Sequence, residues 1–302
     1  MTALALGALG LALSLIAPGI LAHARWPDRS PVAGVLLWQA LTLTAVLCAL
    51  GVVLAAPEEL SRAAGARHPE TVVALGFSLA VAALIVIRLL ISLVRVSYRA
   101  RARRARHRML VDLLDRAEQR RTFSGAEVRV LDGALPLAYC VPGRSPRVVL
   151  SGAVLQVLDP EQVDAVLAHE RAHLRHRHEL VMESFTAFYQ AVPAPLRSRA
   201  SLDAVHLLLE MVADDAARRR TGPEPLRAAL SRLAHPAPLG EAAPADPAAE
   251  TRRRLDRMAG PARSSRPLTV LATAAAIGLL VLPTVVLVVP WLARALDAWP
   301  FR

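Results

Sequence analysis

The segment His169-Glu170-Arg171-Ala172-His173 sets two imidazoles four residues apart, with a carboxylate beside the first. On an α-helix residues i and i+4 share a face, so both rings can reach one metal ion. Imidazole nitrogens suit Zn²⁺, and a zinc site with an open position lowers the pKa of bound water to about 7. Glu170 then stands where a general base belongs, able to take the water's proton for attack on a peptide carbonyl. The pattern reads as a Zn²⁺ site, with His169 and His173 as ligands and Glu170 as the base.

Two histidines leave such a site one ligand short, because catalytic zinc usually has three protein ligands. His176 shares a helix face with His169. Seven residues of helix rise about 10 Å, however, too far for His169, His173 and His176 to meet at one ion. A continuation of the motif by glycine and then histidine is not met either, since those places hold His176 and Glu179. The third ligand must come from another element. Glu210 is the best candidate: Asp214 follows one turn later and can brace a ligand histidine, and Leu207, Leu208 and Met211 give the same helix an apolar face. His206, one turn before Glu210, is read as packed and left out of the ligand set.

The helix that must carry the first two ligands has a clear start. Asp159 is a good N-cap, Pro160 suits the first helical position, and Gln162 completes a capping-box-like pattern. Val163, Val166, Leu167 and Leu174 mark its apolar side, and the helix is expected to continue past His173. Ahead of it, β-type runs at Val128–Leu131, Leu137–Val141 and Val148–Leu150 alternate with turns at Asp132-Gly133 and Pro142-Gly143-Arg144-Ser145, which predicts a small sheet. Arg147, Val148, Val149 and Leu150 form the strand nearest the helix in sequence. They are expected to be the edge on which an extended peptide binds as an added strand. A helix is expected from about Leu202 to Arg219, ending at Gly222-Pro223. His235–Ala249 reads as a flexible connector, and Glu250–Met258 as a last basic helix.

The composition places this unit in a membrane protein. The chain is 54% hydrophobic but only 4% aromatic. Its apolar residues gather into Thr2–Ala22, Gly34–Ala56, Thr71–Leu93 and Leu268–Val289, each near the roughly 20 residues that cross a bilayer as helix. Arg88 is the only charge within them, and it is expected to snorkel to the inner surface. Ala22-His23-Ala24 resembles a signal cleavage site, but the run lacks a basic start and is read as a span. The net charge of +11 comes from arginine alone, as there is no lysine. Its clusters, Arg95–Arg108 and Arg252–Arg266, flank spans, so they read as anchors on anionic membrane lipid; direct nucleic-acid binding is not expected. The same bias puts the N-terminus outside, Arg95–Arg266 in the cytoplasm and the tail to Arg302 outside. Cys48 and Cys140 sit in different regions, so no disulfide is expected, in keeping with a reducing compartment.

The segment Arg147–His178, with Val148-Val149-Leu150-Ser151 ahead of His169–His173, resembles the peptidase domain of the β-lactam-sensing signal-transducer family of bacterial membrane metallopeptidases. The Glu210–Asp214 element and the flanking spans agree with it. More loosely, the chain is similar to the heat-shock and prenyl-protein membrane peptidases, which combine HExxH with a later glutamate-x-x-alanine-aspartate. The resemblance implies Zn²⁺ held by His169, His173 and Glu210, Glu170 as base and Asp214 as support. It also implies a protein substrate, cytoplasmic or membrane-bound, which in the best-known case is a transcriptional repressor.

The fold expected is a multi-span α-helical membrane protein of the bacterial inner membrane with a cytoplasmic α+β zincin-like metallopeptidase domain. Three spans would lie in 1–97, the domain in 98–266, and a fourth span with a short external tail in 267–302. Drug-sensing members carry a penicillin-binding domain after the last span, with a serine-x-x-lysine nucleophile. The sequence ends at Arg302 and has no lysine, so β-lactam acylation is not expected. Regulatory proteolysis is the function expected, with membrane-protein quality control and a catalytically idle membrane scaffold as the other readings. An intact HExxH together with Glu210 argues against the scaffold.

Overall fold

The computed structural model describes residues 2–66, 68–114, 120–123, 126–133, 135–143, 146–194, 197–233, 244–260 and 265–297. They divide into two units. One comprises Met1–Ser92, Gln190–Ser201 and Ser265–Arg302, and the other Leu93–Tyr189 and Leu202–Ser264.

The first unit is helical. It contains α1 (Thr2–Leu15), α2 (Ala17–His23), α3 (Pro31–Gly65), the start of α4 (Pro69–Leu114) and α11 (Arg266–Asp297). The first apolar run is broken in two: Pro18 lies in the first turn of α2, where its missing N–H costs nothing. Among the described residues, four stretches are long and apolar enough to cross a membrane, Thr2–His23, Pro31–Gly65, Pro69–Met109 and Arg266–Val286. Inside the unit, Ala3 and Leu6 pack with Cys48, Ala49 and Val52 of α3 and with Leu75 of α4. Gly10 permits this approach, since a Cβ there would stand 3.0 Å from Cys48 Cβ. Leu54, Phe77 and Val270 point outward and exposed, as side chains that meet lipid would. Arg88 was expected to snorkel, but its Nε donates to the carbonyl of Ala191 at 2.7 Å. A guanidinium in an apolar unit is stabilised by an acceptor within reach, and the last turn of a helix has carbonyls to spare.

The second unit holds the sheet. Helix α4 runs without a break through the first arginine cluster, and Arg104 in it pairs with Glu183. The strands are β1 (Arg120–Phe123), β2 (Ala126–Leu131), β3 (Ala138–Val141) and β4 (Arg147–Ser151), in the order β1-β2-β4-β3. Strand β1, which the sequence pattern does not announce, pairs antiparallel with β2. β2 runs parallel to β4, with Val128 opposite Val148 and Val130 opposite Leu150. β3 runs antiparallel to β4, with Ala138 opposite Leu150 and Cys140 opposite Val148.

This order corrects the expectation for Arg147, Val148, Val149 and Leu150. β4 is paired on both sides, so its backbone groups are already committed and cannot receive a peptide strand. Nearness in sequence misled here, because the chain after β3 folds back and lays β3 on the outer side of β4. The edge on that side is β3.

After the sheet come α5 (Gly152–Val157), α6 (Pro160–Arg175), α7 (His178–Ala191), α8 (Ala200–Thr221), α9 (Pro223–Arg232) and α10 (Pro247–Ala259). The expected cap of α6 is present: Gln162 Nε2 donates to Asp159 Oδ2 at 3.0 Å, and its Oε1 accepts from the Asp159 N–H at 3.4 Å. Val163, Val166 and Leu167 recur at helical spacing and pack with Val128, Val148, Leu150 and Val154. Burial of each such side chain contributes about 1.5–3 kcal/mol. The neighbouring face of α6 is alanine. Ala165 and Ala168 cluster with Ala217 of α8, Leu226 and Leu230 of α9 and Met258 of α10, and small residues at a crossing let helices approach closely. Residues 235–243 of the expected connector lie outside the described residues. The last residues expected in it belong instead to α10, which starts at Pro247 with Asp246 accepting from the Ala249 N–H at 2.9 Å.

Candidate active site

The sheet-facing side of α6 is locked by Val163 and Leu167, which aims the turn bearing His169 and His173 at α8. His169 Nε2 and His173 Nε2 stand 3.1 Å apart. Glu210 of α8 meets both, with Oε2 3.4 Å from His169 Nε2 and Oε1 3.3 Å from His173 Nε2. Four ligands placed tetrahedrally about 2.0–2.1 Å from a zinc ion are separated by about 3.3 Å. The two imidazole nitrogens, and the Glu210 oxygen nearest to each of them, already stand at about this spacing, and one ligand atom from each of the three residues lies within 4.8 Å of the other two. Two imidazoles and one carboxylate are also a donor set that divalent zinc accepts. Among the described residues, His169, His173 and Glu210 are the group able to share one ion.

Asp214 lies one turn beyond Glu210 and is 1% exposed. Its Oδ1 is 3.1 Å from His169 Nδ1, close though off the line of a straight hydrogen bond. A carboxylate there selects the tautomer that leaves Nε2 free for a metal. Burial of two acids so close together demands a cation, and α10 provides it. Arg254, 2% exposed, donates from Nε and Nη2 to the two oxygens of Asp214 at 2.9 and 2.7 Å, while its Nη1 reaches Glu210 Oε2 at 2.8 Å. Burial alone would raise the acids, but the Arg254 charge prevails: Glu210 is held well below the usual carboxylate range and Asp214 at about 2. Two further links tie α10 to α8. His206 Nδ1 lies 2.9 Å from Glu250 Oε2, and Arg257 Nη2 donates to Asp215 Oδ2 at 2.7 Å.

The metal-free imidazoles are strongly polarised. Burial pulls His169 down, but its contacts to Asp214 and Glu210 outweigh this and push it up to about 10. Burial takes His173 to about 3. Glu170 is half-buried beside the ligands, and desolvation pushes it up to about 7 against the opposing effect of the His169 charge. Its neighbour on the edge strand is Cys140, whose thiol hydrogen-bonds to it; burial and the Glu170 charge push that thiol up, so it stays protonated and inert.

The structure thus brings together His169, Glu170, His173, Glu210 and Asp214, and it leaves Arg147–Leu150 inside the sheet. The expected run of α6 past His173 ends at Arg175. His176 caps the helix, and its Nδ1 and Nε2 are absent from the donor cluster. Three neighbours of the site escape the sequence reading. Cys140 and His178 carry no motif, although four histidines within Ala168–Glu179 are a hint of crowding. Arg254 was read as a lipid anchor, yet it shares a helix face with Met258, which is buried, and that apolar neighbour one turn on was the available signal.

Residues 100–218 match the model of Peptidase family M48. That stretch contains His169, Glu170, His173, Glu210 and Asp214 and stops short of α10. Over 73 residues the chain is 29% identical to a Protease HtpX homolog of Thermoplasma acidophilum, which is 24% of this chain and 23% of that protein. The chain therefore spans less than a quarter of the length of the curated relative it matches. No solved structure matches it. The matched stretch is thus similar to peptidases of family M48 and holds a His-His-Glu cluster able to bind a metal, in a chain whose described residues include four helices apolar enough to cross a membrane.

Proposed function

We propose that the chain is a membrane-bound zinc endopeptidase that hydrolyses peptide bonds of cytoplasmic or membrane proteins in regulatory proteolysis. The observation that carries this reading is the convergence of His169, His173 and Glu210, whose ring nitrogens lie 3.1 Å apart and each within 3.4 Å of a Glu210 oxygen, with the half-buried Glu170 next to His169 in the chain. Zinc bound there would act as a Lewis acid, acidifying water and polarising the scissile carbonyl. Glu170 removes the proton of the attacking water and returns it to the leaving amine. Arg254 keeps Glu210 and Asp214 ionised and fixed in direction.

Substrate is held in extended form along β3. Ser151 N–H donates to Leu137 C=O at 2.8 Å, and Leu137 N–H donates to Ser151 Oγ at 3.0 Å. Antiparallel pairing alternates, so with Leu137 bonded to β4 the backbone groups of Ala138 and Cys140 face the open edge. Cys140 lies against Glu170, so a strand added there runs past the general base. The peptidase domain is α+β, zincin-like and cytoplasmic, the chain sits in a bacterial inner membrane, and a transcriptional repressor is a fitting substrate by the resemblance to the signal-transducer family.

The test compares membrane and cytosolic peptides from cells carrying the intact chain with those carrying Glu170→Ala. One or a few soluble proteins should persist only in the variant. Accumulation of many membrane proteins would instead identify a broad quality-control protease, and identical peptide sets would leave the idle scaffold.

A further inference from the structure

Between α6 and α7 the chain makes a sharp turn at a single residue. α6 ends at Arg175, and Arg177 takes a left-handed backbone with φ of 49°. A side chain other than glycine there costs about 1–2 kcal/mol. In a continuous helix a residue five places after His173 would lie about 140° around the axis and about 7.5 Å along it. The turn instead returns His178 toward the site: it is 5% exposed, and its Nδ1 lies 2.8 Å from His173 Nδ1. The two rings meet edge to face, with centroids 4.7 Å apart.

Two ring nitrogens at that distance require one donor and one acceptor. His173 Nε2 is the atom that faces Glu210 and His169, so a metal ligand must leave from Nε2 and the ring's single proton must sit on Nδ1. His173 is then the donor. His178 is forced to accept at Nδ1 and to carry its own proton on Nε2.

We propose that His178 is the positioning residue of the second histidine ligand, fixing the tautomer and direction of His173 as Asp214 does for His169. The two supports differ in kind. Asp214 is an anion already neutralised by Arg254, whereas an imidazole acceptor orients His173 without adding a negative charge to a site that already holds Glu170, Glu210 and Asp214. A second supporting carboxylate would have been the fourth acid in the site. The strained turn at Arg177 has its reason here, since only a break at that point brings residue 178 back onto residue 173.

The inference rests on the metal reading, and the test separates the two. Zn²⁺ affinity is measured by chelator competition on the full chain in detergent, for wild type, His178→Leu and His178→Asn. Leucine keeps bulk without an acceptor, and asparagine offers an oxygen near the place of Nδ1. Loss of an outer support typically costs 10–100-fold in affinity, so leucine should fall by roughly that factor and asparagine should regain most of it. Wild-type affinity in His178→Leu, or an asparagine variant as weak as leucine, overturns the role of His178 alone. Absence of Zn²⁺ binding in the wild type overturns the metal reading itself. A measurement needing no variant stands beside these: ¹⁵N NMR of the zinc-loaded wild type should show His178 Nδ1 unprotonated, and a proton on that atom rejects the proposal.

Discussion

Arg254 Nη1 lies 2.8 Å from Glu210 Oε2, while the other oxygen of that carboxylate faces His173 Nε2 at 3.3 Å. One carboxylate therefore faces a fixed cation on one side and the place of a mobile one on the other. The guanidinium aims Glu210 before any metal arrives, from a helix beyond the stretch that matches the peptidase family.

Arg254→Met should consequently do more than remove a surface charge. Breaking one partner out of a buried ion network costs about 3–5 kcal/mol. The pH dependence has a definite sign. Asp214 and Glu210 have depressed folded values, so their contribution is present above the unfolded carboxylate range of about 4. It is lost as pH falls toward the folded value of about 2 for Asp214. Thermal unfolding of the metal-free protein should show stability falling below about pH 4, and the variant should be less stable near neutrality with a flatter acid slope. Equal melting of the two proteins at neutral pH would refute the clamp.

The ligand set predicts a graded response in metal content. Glu210→Ala should leave zinc weakly held or absent. Asp214→Asn should lose roughly 10–100-fold in affinity or activity. His176→Ala should keep its metal. Zinc per protein in the three purified variants decides the matter, and loss in His176→Ala with retention in Glu210→Ala would reverse the assignment.

Catalysis should follow the ionisation of Glu170. A base pushed up to about 7 by burial must be deprotonated to work, so kcat/KM should rise with pH up to about 7 and then level. The Cys140 thiol hydrogen-bonds to Glu170 and favours its charged form. Cys140→Ala should move the rising limb to higher pH, and a move to lower pH would contradict the contact. Glu170→Gln should retain zinc and lose about 10²–10⁴-fold in rate.

The edge strand can be tested by its backbone. Ala138→Pro removes an N–H that faces away from β4, whereas Tyr139→Pro removes one that the alternation assigns to the ladder. One lost substrate hydrogen bond of about 0.5–1.5 kcal/mol corresponds to roughly a 2–10-fold rise in KM, expected for Ala138→Pro with zinc content unchanged. Tyr139→Pro should lose folding and zinc together. Unaltered kinetics in Ala138→Pro would place the substrate elsewhere.

Topology makes the last prediction. Reporter fusions at Gly240 and after Arg302 should report opposite faces of the membrane, as the arginine asymmetry requires. Both on one face would mean that α11, the apolar helix between the two fusion points, does not cross.

What the sequence determined by itself is what depends on neighbours along the chain. The i, i+4 repeat of helix geometry puts His169 beside His173 and Glu210 beside Asp214 wherever their helices go. The Asp159–Gln162 cap and the length of the apolar runs are equally local. Tertiary structure decided everything that joins distant segments. Strand order is one such case: β3 and β4 look alike as sequences, and only packing made β3 the edge and enclosed Arg147–Leu150. Arg254 is another. Met258, one turn on, marks the apolar side of this run of arginines, but only the seating of α10 against α8, 40 residues from Asp214 in sequence, made Arg254 the buried counter-ion of two acids. His178 is the third, because a single left-handed residue at Arg177 replaced a helical offset with a direct contact to His173. A buried charge or imidazole is specified by its partner, and partners are chosen by how helices pack.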